Sequence, residues 1–366
     1  GGTAAATRAA QLGAKVTLVE KGHLGGACVN HNCIPFTGML ASVELLERIR
    51  RAGNLGVQVG TPTLDLVQAR AHVDGIVEEL RMGIAALMDS FGVQVLEGQA
   101  RLAGAHTVLV GDQRLEADAV ILATGARPCD PPLPTPGLLT SRQALALDVP
   151  PASLLVWGSR GNEVQFAQYF ALQGSQVTLV AQGANVLPEE DYEVGQRLQS
   201  VLAEQGVRVL TGASVRSMTA EGSQARVVIG QRKGETSLLV ERVLWAGQVP
   251  AVEGLGLEAA GVKLSGGAVQ INDRCQTNLP GVYAIGDANG VVLQGLPGTP
   301  KLGANGTYSV KVRYGWNGKV TPVIPVREDW YSPTPDTFWG PSAHWNHHIR
   351  QYVILMNRAV DPRWKQ

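Results

Sequence analysis

Cys28 and Cys33, separated by four residues within Gly25-Gly26-Ala27-Cys28-Val29-Asn30-His31-Asn32-Cys33-Ile34-Pro35, are the side chains best suited to chemistry in this sequence. Two thiols this close can close into a disulfide and open again. Residues 34–51 carry apolar side chains at helical intervals, which puts Cys33 at or near a helix start. Unpaired N–H groups and the positive end of the helix dipole there favour a thiolate. The pattern predicts a redox pair rather than a structural staple. His31 lies between the cysteines, where the spacing fits a solvated loop histidine. Cys129 and Cys275 have no partner by spacing and read as inert.

Three glycine-and-carboxylate patterns come next. Gly1-Gly2 lead into an Ala-rich helix ending near Gly13, and a strand expected to be buried follows, ending at Glu20. A dinucleotide fold needs glycine where a pyrophosphate meets a helix N-terminus, and a carboxylate about 20 residues on for the ribose hydroxyls. Gly2 and Glu20 have that spacing. In the run Thr277–Asp287 a buried strand ends at Gly286-Asp287, where the aspartate could accept hydrogen bonds from a chain of hydroxyls. A third strand, at 118–122, leads into Ala123-Thr124-Gly125.

These groups need a scaffold of alternating strands and helices. Helical patterns span about 33–52, 64–91 and 189–205. Strand candidates lie at 16–19, 93–97, 107–110, 118–122, 207–211, 225–229, 235–240 and 242–246, and a strand–turn–helix–strand unit occupies 153–180. Residues 128–136 are Pro-rich and read as a linker. Alternation of this kind implies parallel sheets covered by helices. The expected fold is α/β, with two Rossmann-like dinucleotide-binding domains in three layers. The expected divisions are 1–145 for the first part of one domain, 146–250 for the second domain, 251–292 for the return to the first, and 293–366 for a β-rich tail. The opening helix lacks the strand that should precede it, so the chain reads as truncated at its N-terminus.

Composition narrows the function. The 366 residues carry 31 basic and 31 acidic side chains, with no basic stripe for nucleic acid. No apolar run reaches membrane-spanning length. Four cysteines in so long a chain argue against a secreted disulfide framework and for a reducing, cytoplasmic setting.

The motifs resemble those of the class I pyridine nucleotide–disulfide oxidoreductases, such as dihydrolipoamide dehydrogenase, glutathione reductase and mercuric reductase. The resemblance runs from Gly1 to about Asn289, and the redox motif matches at Gly25, Gly26, Cys28, Val29, Asn30, Cys33, Ile34 and Pro35. It implies FAD beside the disulfide, with Gly2, Glu20, Lys21, Gly26, Thr37, Ala100, Thr124, Gly125 and Asp287 around it. It implies NAD or NADP at Gly158, Gly161 and Gly247. It also implies that electrons pass between NAD(P)H, flavin and Cys33, with Cys28 exchanging with a small-molecule or protein disulfide or serving a metal-ion substrate. Relatives of this kind form homodimers.

Several positions depart from the family pattern. Thr37 stands where the family has lysine, Phe36 where it has serine, and Gln165 where it has the lysine's glutamate partner. The second fingerprint has Arg160 and Glu163 in place of two glycines, and Ala181-Gln182 where a ribose-reading residue is expected. The family's C-terminal dimerisation domain, with its His-Pro-Thr motif, has no counterpart. Instead, five of seven Trp and three of seven His fall within 316–364. Parts of this tail weakly resemble a blade of bacterial carbohydrate-active β-propellers. The spacing of His344, His347 and His348 would suit metal ligands on a helix, but Pro341 and the nearby Trp favour a polar turn. The alternative to an active oxidoreductase is an incompetent chimera of two unrelated pieces.

Overall fold

The computed structural model describes residues 1–232 and 234–290, together with strand segments at 301–302, 308–309, 338–346 and 351–358. The chain divides into two compact units, Gly1–Leu296 and Pro297–Gln366.

The first unit opens with α1 (Gly2–Gln11), β1 (Thr17–Glu20), α2 (Gly26–Asn30), α3 (Cys33–Arg50) and α4 (Leu66–Ser90). Then come β2 (Gln94–Glu97), β3 (Ala100–Leu102), β4 (Thr107–Val110), β5 (Gln113–Glu116), β6 (Val120–Leu122), β7 (Ala126–Pro128) and β8 (Leu138–Leu139). A second α/β block contains α5 (Ser141–Leu145), β9 (Ser153–Trp157), α6 (Gly161–Leu172), β10 (Gln176–Val180), α7 (Tyr192–Glu204) and β11 (Arg208–Leu210). It continues through β12 (Ser214–Glu221), β13 (Gln224–Gln231), β14 (Gly234–Val240), β15 (Arg242–Leu244) and β16 (Gln248–Pro250). The unit returns through β17 (Leu264–Ser265), β18 (Ala268–Val269) and β19 (Val282–Ala284).

The second block has a five-stranded sheet in the order β11-β10-β9-β15-β8. Its pairings are all parallel. Leu154, Leu155, Val156 and Trp157 of the central β9 are all buried, as a strand covered on both faces requires. The sheet takes in Leu138–Leu139, within the stretch expected to belong to the first domain. β12, β13 and β14 form an antiparallel sheet of their own.

The first block carries two parallel pairs, β1–β2 and β6–β19. Gly2 lies between them: a Cβ added there would sit 3.5 Å from Ala123 Cβ and 3.8 Å from Leu18 Cδ1. The strand at Thr17–Glu20 is not buried as expected. Thr17 is exposed and the rest half-buried, because β1 pairs only with β2 among the described residues.

Helix formation follows the apolar spacing. α3 buries Phe36, Met39, Val43 and Leu46 on one stripe. Asp65 caps α4, accepting from the Gln68 N–H at 3.0 Å, and α4 buries Leu66, Val73, Val77 and Met88. The largest core joins Phe36, Met39 and Val43 of α3 to Leu154 and Val156 of β9 and to Phe166, Ala167 and Phe170 of α6. The two blocks therefore share one core. Phe36 stacks edge-on to Phe166 with centroids 5.1 Å apart.

In the second unit, β20 (Lys301–Leu302) pairs antiparallel with β21 (Tyr308–Ser309), and β22 (Phe338–Asn346) with β23 (Gln351–Arg358). His344 stands on a strand opposite Val353, not on a helix face. His347 and His348 lie outside the described residues, whereas the two stretches that resemble a propeller blade, 338–346 and 352–358, fall on the paired strands β22 and β23.

Candidate active site

The cysteine turn is built by glycine and asparagine. Gly25 has φ +104°, and a Cβ there would lie 2.7 Å from Val29 Cβ, so only glycine fits ahead of α2. Asn30 then ties the turn together. Its Nδ2 donates to the carbonyls of Gly26 (2.9 Å) and Leu24 (3.0 Å), and more weakly to His23 (3.3 Å). Its Oδ1 accepts from Arg81 Nε of α4 at 2.6 Å. Asn32 caps α3, whose first residue is Cys33. Cys28, on α2, and Cys33 are both exposed free thiols, and they lie within electrostatic reach of each other.

The helix start does not make Cys33 a thiolate. Although the residue is exposed, partial desolvation of its sulfur pushes the thiol up, and the adjacent Cys28 pushes it further, to about 11. The Cys33 backbone N–H pulls the other way and is outweighed. The expectation from helix position fails here because a neighbouring thiol and partial desolvation oppose the anion more than one peptide dipole supports it. In the reduced pair, Cys33 rests as a thiol. His31 is half-buried rather than fully solvated, and burial, then Arg142, lower its pKa. It lines a cleft with Thr140, Arg142, Trp245 and Gly247.

The glycine and carboxylate positions gather around the start of α1. Gly2 touches the ends of β1 and β6, and Gly1 lies against Ile285, where a Cβ would be 3.3 Å from Ile285 Cδ1. Asp287 follows β19. Burial raises its carboxyl and the Gly1 amino group lowers it, so the two lie within electrostatic reach. Its Oδ1 is buried without a hydrogen-bond partner. Glu20 ends β1 and accepts from the Gly22 N–H at 2.9 Å. A buried acceptor without a donor, beside a helix N-terminus and the carboxyl ends of parallel strands, fits a phosphate-and-polyol ligand such as FAD.

The other expected contacts are placed variously. Lys21 and Gly26 are exposed beside the turn, and Ala100 opens the edge strand β3. Gly125 has φ +72°. The Thr124 hydroxyl is committed to the Ala251 carbonyl at 2.8 Å. Thr37 and Gln165 are both exposed, so neither occupies a buried site in which an unpaired charge would be costly. The buried contact between α3 and α6 is instead aromatic, formed by Phe36, Phe166 and Tyr169. Sequence reasoning assigned no part to Arg81, because its tie to Asn30 spans 51 positions.

At the second fingerprint, Gly158 has φ +130° and Gly161 opens α6. Gly247 follows β15 in the cleft beside Arg142. Glu163 is buried at 6 % exposure, and its side chain folds back onto Gly158. Glu163 thus packs against Gly158, while Gly161 stays exposed with open space about it.

Fold and site together define a doubly wound α/β protein with a vicinal dithiol beside a candidate dinucleotide pocket. The chain belongs to the pyridine nucleotide-disulphide oxidoreductase family, whose profile matches residues 1–307. It is 35 % identical over 299 residues to dihydrolipoyl dehydrogenase of Bacillus subtilis, covering 79 % of this chain and 65 % of that protein. To the enzyme of that name from Acholeplasma laidlawii it is 34 % identical, covering 79 % of this chain and 87 % of the relative. Among solved structures it is similar to LpdA of Mycobacterium tuberculosis, with a TM-score of 0.70, 31 % identity, and coverage of 79 % of this chain and 65 % of that one. It is also similar to the HOCl-induced flavoprotein disulfide reductase RclA of Escherichia coli, with a TM-score of 0.67, 27 % identity, and coverage of 79 % and 64 %. The chain thus spans about two thirds of the length of most of these relatives. Members of this family are flavoproteins that use FAD and a pyridine nucleotide. Among the described residues no helix is long and apolar enough to cross a membrane.

Proposed function

We propose that the chain carries the dithiol centre of a flavin-linked disulfide oxidoreductase, with Cys28 and Cys33 exchanging two electrons with a small disulfide or dithiol. The observation that carries this reading is the pair itself: two neighbouring free thiols, Cys33 at the start of α3 and Cys28 on the turn clasped by Asn30. The dihydrolipoyl dehydrogenase relatives support a small dithiol as the partner.

In the reductive direction, Cys28 attacks a substrate disulfide as its thiolate, forming a mixed disulfide and releasing one substrate thiolate. Cys33 then attacks the Cys28 sulfur and releases the second. The pair ends as a Cys28–Cys33 disulfide, and the substrate has gained two electrons and two protons. The same exchange run backward oxidises a dithiol. Gly2, Glu20 and Asp287 would hold FAD, which when bound would supply the two-electron partner for the pair. Asn30 and Arg81 fix the turn so that both sulfurs stay within exchange distance.

The test is alkylation and mass mapping of the purified chain, with FAD added, before and after mild reduction. Cys28 and Cys33 should be linked to each other in air-oxidised protein and both be labelled after dithiothreitol. Recovery of both as free thiols from oxidised protein would sink the proposal.

A further inference from the structure

The second α/β block has the strand–turn–helix frame of a dinucleotide site, but its own side chains occupy the turn. Glu163 stands in the first turn of α6 and is 6 % exposed. A Cβ added at Gly158 would meet Glu163 Cγ at 2.9 Å, Cδ at 3.1 Å and Oε1 at 3.3 Å, so the carboxyl end lies directly against the glycine turn. Oε2 is buried with no hydrogen-bond partner. Arg160 is the N-cap residue of α6 and Glu163 stands in its first turn, so the carboxyl lies at the helix N-terminus, where a bound phosphate would sit.

The segment after β10 closes the turn from the other side. The Leu187 N–H donates to the Ser159 carbonyl at 2.8 Å, and Arg160 Nη2 pairs with Glu189 Oε1 at 2.7 Å. Leu187 holds φ +52°, a conformation that L residues seldom adopt, to make that contact. The cation that could have attracted a phosphate is therefore spent on Glu189. Burial raises the Glu163 carboxyl, with Arg160 lowering it and Glu189 raising it. A pyrophosphate entering here would meet a side chain where the backbone must be bare, and an acidic group where donors must be free.

We infer that this block is closed to pyridine dinucleotides, with Glu163 acting as an internal occupant of the phosphate turn and Leu187–Glu189 as its latch. The inference goes beyond the dithiol reading and stands apart from it, since dithiothreitol reduces Cys28–Cys33 without any nucleotide. The experiment is calorimetric titration of the purified chain with NADH, NADPH and ADP-ribose, with FAD saturating so that the first block is filled. The expected result is no saturable binding up to millimolar ligand. Micromolar binding of any of the three would overturn the inference, whatever the variants do. Removing the occupant by Glu163→Gly, alone and with Arg160→Gly, should tighten ADP-ribose binding at least tenfold. Glu163→Ala serves where the glycine variants lose their far-UV circular dichroism. A folded variant with no gain would show that Glu163 is not the block and would overturn the assignment.

Discussion

The protonation of Cys33 can be tested through its alkylation rate. Its thiol is held at about 11 against an ordinary value of 9.0, chiefly by burial and then by Cys28. At pH 8 this leaves about one Cys33 in a thousand as thiolate, against about one in ten for an ordinary thiol of that kind. The thiolate that does form is more nucleophilic, and a Brønsted slope of about 0.4–0.5 over two units returns roughly tenfold. Cys33 in the fully reduced chain should therefore react with iodoacetamide about tenfold more slowly than a free thiol at pH 8. Its rate should keep rising about tenfold per unit up to pH 10. Labelling quantified by mass spectrometry on quenched samples from pH 7 to 11 reads this directly. Cys28→Ala removes the second and third causes but not the burial, so the break in the profile should move down and still stay above 9. A Cys33 rate that levels off at or below pH 9 in the unsubstituted chain would refute the reasoning, because the helix start would then dominate the neighbouring thiol.

Two other perturbations probe what holds the site. Asn30→Ala removes the donors to Gly26 and Leu24 and the acceptor for Arg81, on a partly exposed turn. Urea unfolding should show a loss of about 2 kcal/mol, with slower reclosure of the Cys28–Cys33 disulfide by oxidised glutathione; reclosure at the unsubstituted rate would contradict the clasp. Phe36→Ala empties the aromatic contact between α3 and α6, and the same assay should show a loss of about 3–5 kcal/mol. A loss below about 1 kcal/mol would mean that Phe36 does not tie the two blocks together.

Much of the scaffold was legible in the sequence. Helices α3 and α4 and strands β9 and β10 announce themselves by strong periodicity or by continuous apolar runs between glycines. Strands β3, β5 and β12 were not legible, because edge and half-exposed strands carry mixed polar residues such as Ser214–Glu221. Long-range ties were equally silent. Arg50 donates to the Leu172 carbonyl across 122 positions, and nothing local to either residue marks it.

The sequence by itself determined the chemistry on offer: two cysteines at one spacing, carboxylates after strands, and side chains where a second fingerprint wants glycine. Residue type and spacing suffice there, because a thiol or a missing glycine has the same meaning in any fold. The tertiary structure alone decided what state those groups are in. Partial burial beside Cys28 keeps Cys33 a thiol at the very helix start that should ionise it. Thr37 and Gln165 came out on the surface rather than in a buried pair. Glu163, read from sequence as a replacement for a fingerprint glycine, proved to pack against the turn at Gly158. Desolvation and close contact arise from segments distant in the chain, and so they act only once the fold has brought those segments together.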